Sequence, residues 1–134
     1  MKKIAVVGSR DFNNYQLLEY ALNKIVKDNK DIVIISGGAR GADTLAEQYA
    51  DKHGFNKLIF LADWKKHGKR AGYLRNHDII KHCDFCVCFW DGQSRGTAHD
   101  IELCDKYNKP CLIVKYLEGR VEFCDSAENF ETIH

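Results

Sequence analysis

Apolar residues fall along this chain in five short blocks: Lys3–Gly8 (KIAVVG), Asp31–Ser36 (DIVIIS), Lys57–Ala62 (KLIFLA), Asp84–Phe89 (DFCVCF) and Pro110–Lys115 (PCLIVK). Successive positions within a block are apolar rather than alternating with polar ones. A strand of that kind needs cover on both faces, as strands in the interior of a parallel sheet have. Between the blocks the period changes. Leu18, Ala21, Leu22 and Ile25 recur at helical spacing, as do Ala42, Leu45, Ala46, Tyr49, Ala50 and His53, with Gly54 as a stop. Lys69 to His82 is a more polar helical stretch containing Gly72, and Thr97 to Tyr107 carries Ala98, Ile101 and Cys104 before Pro110 ends it.

Strand and helix in alternation predict an α/β domain built on a parallel sheet. Right-handed crossovers restrict the topology. The expected architecture is a Rossmann-like three-layer open sheet, mostly parallel, in the order 3-2-1-4-5. Residues 1–115 would form one nucleotide-binding domain, and 116–134 a C-terminal tail packed on it or extending it. A length of 134 residues suits a single domain. No apolar run approaches the ~20 residues of a membrane span, and the apolar stretch after Lys3 is short for a signal peptide. A cytoplasmic protein is therefore expected, and exposed helices of such folds make a homodimer or higher homo-oligomer an expectation as well.

Ligands of open α/β sheets sit beyond the carboxyl ends of the strands, where the strand order reverses. Here that point lies between the first and fourth strands. The first ends in Gly8-Ser9-Arg10, the second in Ser36-Gly37-Gly38-Ala39-Arg40-Gly41-Ala42-Asp43, and the fourth in Trp90-Asp91-Gly92-Gln93-Ser94-Arg95-Gly96-Thr97. Each turn has a small residue directly before an arginine, which places Arg10, Arg40 and Arg95 on one edge of the sheet. Glycine lets backbone N–H groups approach a ligand and admits positive φ. A helix start adds unpaired N–H groups and partial positive charge, and arginine adds a forked, permanently charged donor. The combination describes an anion pocket, most simply for phosphate. The plainer account is that the glycines make tight turns and the arginines are solvated.

Asp43 lies in the first turn of its helix, where it would complement the helix dipole, contact a ribose hydroxyl or support Arg40. The segment Ala62 to Asn76, with Asp63, Trp64, Lys65, Lys66, Lys69, Arg70, Tyr73, Arg75 and Asn76, reads either as a solvated helical face or as a basic, aromatic lid with Arg75 and Asn76 turned inward. Trp64 and Trp90 could stack a base or simply pack. GxxxxGK[ST] is missing, as is GxGxxG after the first strand, so P-loop chemistry and ordinary NAD binding are disfavoured. The formal net charge of +1 counts against a duplex nucleic-acid binder that works through general basicity. Six cysteines include Cys83-Asp84-Phe85-Cys86, yet no second pair supplies the remaining ligands of a zinc site. Neither a metal nor a cofactor is expected, and the cysteines read as small apolar core residues.

The segments GSRDF, SGGARGADTLAEQYA, ADWKKHGKRAGYLRN and FWDGQSRGTAH together resemble the YspA/cpYpsA-related SLOG family of small Rossmann-like proteins, over Ile4 to Lys115. The resemblance implies a nucleotide or nucleotide-derived ligand at the strand ends, bound by a sensor or carrier module. The wider superfamily includes the LOG phosphoribohydrolases, whose PGGxGTxxE motif carries a glutamate that helps cleave an N-glycosidic bond. Gly96-Thr97 align with its GT, and Asp100 falls where that glutamate stands, while the proline and paired glycines differ. This implies an alternative, a phosphoribohydrolase acting on a nucleoside monophosphate with Asp100 as catalytic carboxylate. The related DprA family implies a second alternative, single-stranded nucleic-acid binding through Trp64, Tyr73 and the basic segment.

Overall fold

Four consecutive residues of β1 (Lys2–Gly8), Ile4 through Val7, are buried, so the first strand has both faces covered. The computed structural model, which describes residues 1–117, 120–125 and 132–133, shows how. β1 lies at the centre of the sheet, parallel to β2 (Ile32–Ser36) on one side and to β4 (Phe85–Trp90) on the other. β3 (Asn56–Ile59) adds parallel to β2, and β5 (Cys111–Leu117) parallel to β4. β6 (Arg120–Asp125) and β7 (Thr132–Ile133) follow antiparallel, giving the order β3-β2-β1-β4-β5-β6-β7. The expected order 3-2-1-4-5 is therefore present, and two strands from the C-terminal segment continue the sheet beyond it.

The pleat divides β1, β2, β4 and β5 between two cores. Ile4, Val6, Ile32, Ile34, Val87, Phe89, Leu112 and Val114 face α1 (Tyr15–Val26) and α2 (Ala42–His53). Ala5, Val7, Ile35, Cys86, Cys88, Cys111 and Ile113 face α4 (Ala71–His82) and α5 (Arg95–Lys106). Helix α1 starts where the Asn14 side chain accepts from the Leu17 amide at 3.0 Å, a standard N-cap. It buries Leu18, Ala21, Leu22 and Val26, with Ile25 partly buried against the same core. Helix α2 stops at Gly54, whose left-handed φ of 73° suits a residue without Cβ. Its fully buried Tyr49 donates to Asn23 Oδ1 at 2.7 Å, which satisfies the one polar atom that α2 carries into that core.

Two expectations change. The apolar Lys57–Ala62 block predicts a strand covered on both faces, but β3 is an edge strand and all four of its residues are exposed, Leu58 and Ile59 among them. Among the described residues it pairs on one side only, with β2. The polar stretch before α4 is a separate single-turn helix α3 (Trp64–His67), capped by Asp63, followed by a 3₁₀ turn at Gly68–Arg70. Among the described residues no helix is long and apolar enough to cross a membrane.

Candidate functional site

The turns after β1 and β2 are held together through their backbones. Ser9 N–H donates to the Phe89 carbonyl at 3.1 Å, and the Ser9 carbonyl accepts from Ala42 N–H at 3.4 Å, so one residue links β4 to the start of α2. Gly41 has φ 80°, and a Cβ there would meet the Ser9 and Arg10 carbonyl oxygens at 2.5 Å. A Cβ on Gly8 would meet Ala42 Cβ and the Phe89 carbonyl at 2.7 Å. These two glycines are required by the close approach of one turn to another.

The β2 turn has further supports. Ser36 Oγ donates to Glu47 Oε2 at 3.1 Å and accepts from Gly38 N–H at 3.4 Å. Asp43 Oδ2 accepts from Ala39 N–H at 3.1 Å. Arg75 of α4 donates from Nη1 to the Gly37 carbonyl at 2.9 Å. Asp43 is thus a clamp on the 37–39 backbone, and its electrostatic partner is Arg75 rather than Arg40. Glu47 was invisible to sequence reasoning because its contact depends on the pitch of α2 bringing it over Ser36.

Between these turns and the start of α5 lies a cavity of about 440 Å³, lined by Ser9, Arg10, Arg40, Arg75, Asn76 and Asp100 together with Gly8, Asp11, Asp43, Asp91, Ser94, Gly96 and Thr97. A second cavity of about 480 Å³ adjoins it, sharing Arg10, Ala39, Arg40 and Arg75 and adding Gly37, Gly38, Leu61, Ala62 and Trp64. The two form one cleft with a polar end at the β1–β4 switch point and an aromatic end beside α3. Not every expected residue reaches it. Arg95 is exposed and lines neither cavity. Trp90 lines neither: its Nε1 donates to the Ser94 carbonyl at 3.0 Å and Lys115 Nζ lies 5.6 Å from its ring centre. Gly92, with φ 85°, packs beside that same lysine. Asp63 caps α3 by accepting from Lys66 N–H at 3.1 Å.

The family model for the YspA, cpYpsA-related SLOG family matches residues 2–67. Gene 61 protein of Mycobacterium phage D29 is 34% identical over 119 residues, 84% of this chain and 95% of that protein. The chain belongs to the YspA, cpYpsA-related SLOG family. The fold of this SLOG protein is shared with more distant solved structures. DprA from Streptococcus pneumoniae superposes with a TM-score of 0.69 at 20% identity, over 87% of this chain and 51% of that one. DprA from Helicobacter pylori, described for its single-stranded DNA binding mode, gives 0.64 at 23% identity, over 86% and 66%. TM1055 gives 0.62 at 22% identity, over 83% and 72%. The SLOG chain spans about half the length of the pneumococcal protein.

The electrostatics of the SLOG cleft are mixed. Three arginines face four aspartates in the polar cavity. Asp91 is already engaged, its Oδ1 accepting from the Gln93 and Ser94 amides at 2.8 and 2.7 Å. Burial pushes the Asp43 carboxyl up to about 6, against the pull of the Ala39 amide and Arg75. Asp100, 5% exposed, is pushed well above the ordinary range by burial and by the charge of Asp43. Burial thus favours its neutral form, in which a carboxyl can donate as well as accept. Asp100 Oδ1 and Arg75 Nε are buried without a hydrogen-bond partner among the described residues. Such atoms are costly unless something meets them. At the rim, α5 begins without a side-chain capping bond from Ser94, which leaves its Gly96–Thr97 end facing the cavity as an anion-favouring terminus.

Proposed function

We propose that this protein binds a nucleotide or nucleotide-derived phosphorylated ligand in the cleft, as a sensor or carrier module. The observation that carries this reading is the pair of contiguous cavities sharing Arg10, Arg40 and Arg75. Permanently charged donors stand at the junction, buried carboxyls and Asn76 at the polar end, and the exposed ring of Trp64 at the other. A phosphate matches the guanidinium forks and the α5 terminus. Ribose hydroxyls match carboxyl oxygens as acceptors, and a base matches an aromatic face. Membership of the SLOG family supports the same reading.

The test is a thermal-shift panel of nucleotides and nucleotide derivatives against the wild type and Arg40→Ala. A ligand at ~100 times its Kd stabilises the native state by about 2.7 kcal/mol, an easily read shift. Arg40 is exposed at the mouth of both cavities, so its loss should remove the shift without unfolding the protein. No stabilisation by any phosphorylated nucleotide would overturn the proposal.

A second reading, single-stranded DNA binding, is favoured by one observation. Trp64 and Tyr73 are more than half exposed beside Lys65, Lys66, Lys69 and Arg70, all exposed. Stacking platforms set in a basic surface suit an unpaired strand, and the fold is that of DprA. Fluorescence anisotropy with a labelled oligonucleotide separates the readings. Oligonucleotide binding that survives Arg40→Ala but is lost in Trp64→Ala would select the second.

A further inference from the structure

On the face of the sheet opposite α1 and α2, four cysteines from three elements meet. Cys86 and Cys88 lie two positions apart on β4, Cys111 stands beside Cys86 on β5, and Cys104 comes from α5. Their four Sγ atoms all lie within 4.8 Å of one another, and all four residues are buried. The Cys86 and Cys88 sulfurs are 3.6 Å apart, and those of Cys88 and Cys111 are 3.3 Å apart. We infer that Cys86, Cys88, Cys104 and Cys111 form a closed four-thiolate site for one soft divalent metal ion of the zinc class.

The geometry supports this in three ways. Zinc–sulfur bonds of about 2.3 Å in a tetrahedron place sulfurs about 3.8 Å apart, which falls among the spacings seen here. Two residues separated by two strand steps have backbones about 6.6 Å apart, so Cys86 and Cys88 have turned their sulfurs toward a common point. Branched aliphatic residues would fill a core equally well, as they do at Ile79, Ile80, Leu103 and Ile113 around the cluster. What four thiols offer beyond packing is ligation. A polynuclear iron–sulfur cluster is disfavoured, because its own atoms would need the cysteines spread farther than 4.8 Å.

The balance is simple. One divalent ion enters, four thiols each lose a proton to solvent, and the complex carries two negative charges. Lys109 is placed to offset part of that charge: its Nζ is held at 2.8 Å by the Cys83 carbonyl, and its backbone N–H donates to the Cys104 carbonyl at 2.8 Å. Because the sulfurs are buried, the ion would be taken up as the chain folds and held against chelators in the native state. Cys83 is outside the site, its Sγ donating to the Ile80 carbonyl at 3.3 Å. The CxxC spacing visible in the sequence is therefore not the one that converges.

The experiment uses the full chain expressed with added zinc and purified without chelator. Elemental analysis should give about one zinc per chain, as closed structural sites do. The chain refolded with cobalt should show the strong visible bands of tetrahedral thiolate coordination and near-ultraviolet charge transfer. Cys104→Ser should lower metal content at least about ten-fold, while Cys83→Ala and Cys124→Ala keep it. If Cys104→Ser fails to fold, the wild-type cobalt spectrum decides, since it needs no variant. The inference is overturned by the absence of cobalt bands together with less than about a tenth of a zinc per chain. Titration of all six thiols in denaturant, with no metal released, would then show simple apolar packing; a deficit of two would show a disulfide.

Discussion

Arg75 reaches from α4 to the carbonyl of Gly37 at the end of β2, a bond of 2.9 Å between residues 38 apart. The same guanidinium lines both cavities and acts electrostatically on Asp43 and Asp100. One side chain therefore supports the β2 turn and faces the proposed ligand, and its removal should be felt in both stability and binding.

Arg75→Ala leaves the Gly37 carbonyl without that donor and strips the nearby carboxylates of a positive charge. Stability should fall by about 1–3 kcal/mol, read from urea denaturation, and the nucleotide-induced thermal shift should shrink as well. Arg75→Lys keeps a charge but lacks the fork, and should recover stability more fully than binding.

Gly41 and Gly54 share a left-handed φ, 80° and 73°, but differ in surroundings. At Gly54 nothing lies within 4 Å of an added Cβ, so Gly54→Ala should cost about 1–2 kcal/mol for conformation alone. At Gly41 the added carbon would also meet backbone oxygens at 2.5 Å. Gly41→Ala should be markedly more destabilising than Gly54→Ala and should weaken nucleotide binding; equal midpoints in urea would contradict the packing described.

The Asp43 carboxyl sits at about 6 in the fold against an ordinary 3.8, and burial raises Asp100 in the same direction. The native state therefore binds more protons than the unfolded state over that interval. The contribution of these groups is fully present below the unfolded value and is lost as pH rises through the folded one. Asp43→Asn removes the titration while keeping an oxygen acceptor for Ala39. Relative to wild type it should fare best at about pH 7.5, with the difference narrowing toward about pH 5. A gap that stays constant in urea titrations would contradict the burial of an ionisable group there.

Asp100 also separates binding from turnover. As a sensor or carrier, the protein should return nucleoside monophosphates unchanged after prolonged incubation, by chromatography. Free base appearing with wild type and vanishing in Asp100→Asn would instead assign an N-glycosidase, in which that carboxyl meets the charge developing on the sugar.

The sheet order was legible because buried strands write both faces into the chain, as in Ile4–Val7 and Ile32–Ile35. The exposure of β3 was not legible. A strand of apolar residues reads the same at the edge as in the middle, and only its unpartnered side distinguishes them. Arg10 and Arg40 reach the cleft from their turns, but Arg95 carries the same local pattern and points elsewhere. Direction at a helix start depends on how Asp91 and Trp90 fold the preceding turn. The meeting of Cys86 with Cys111 was hidden for a different reason: strand register, which no spacing within the chain reports, sets them side by side.

The contact of Gly41 with the Ser9 and Arg10 backbone has a mechanical result. The backbones that carry Arg10 and Arg40 lean on each other as one jaw, so a shift of either turn would have to move the other. The opposing jaw, with Leu61, Ala62 and Trp64, follows the edge strand β3, and its Trp64 ring is more than half exposed. For the proposed ligand, adjustment to different sizes would fall to that side, and substitutions there would retune selectivity while leaving the arginines of the other jaw in place.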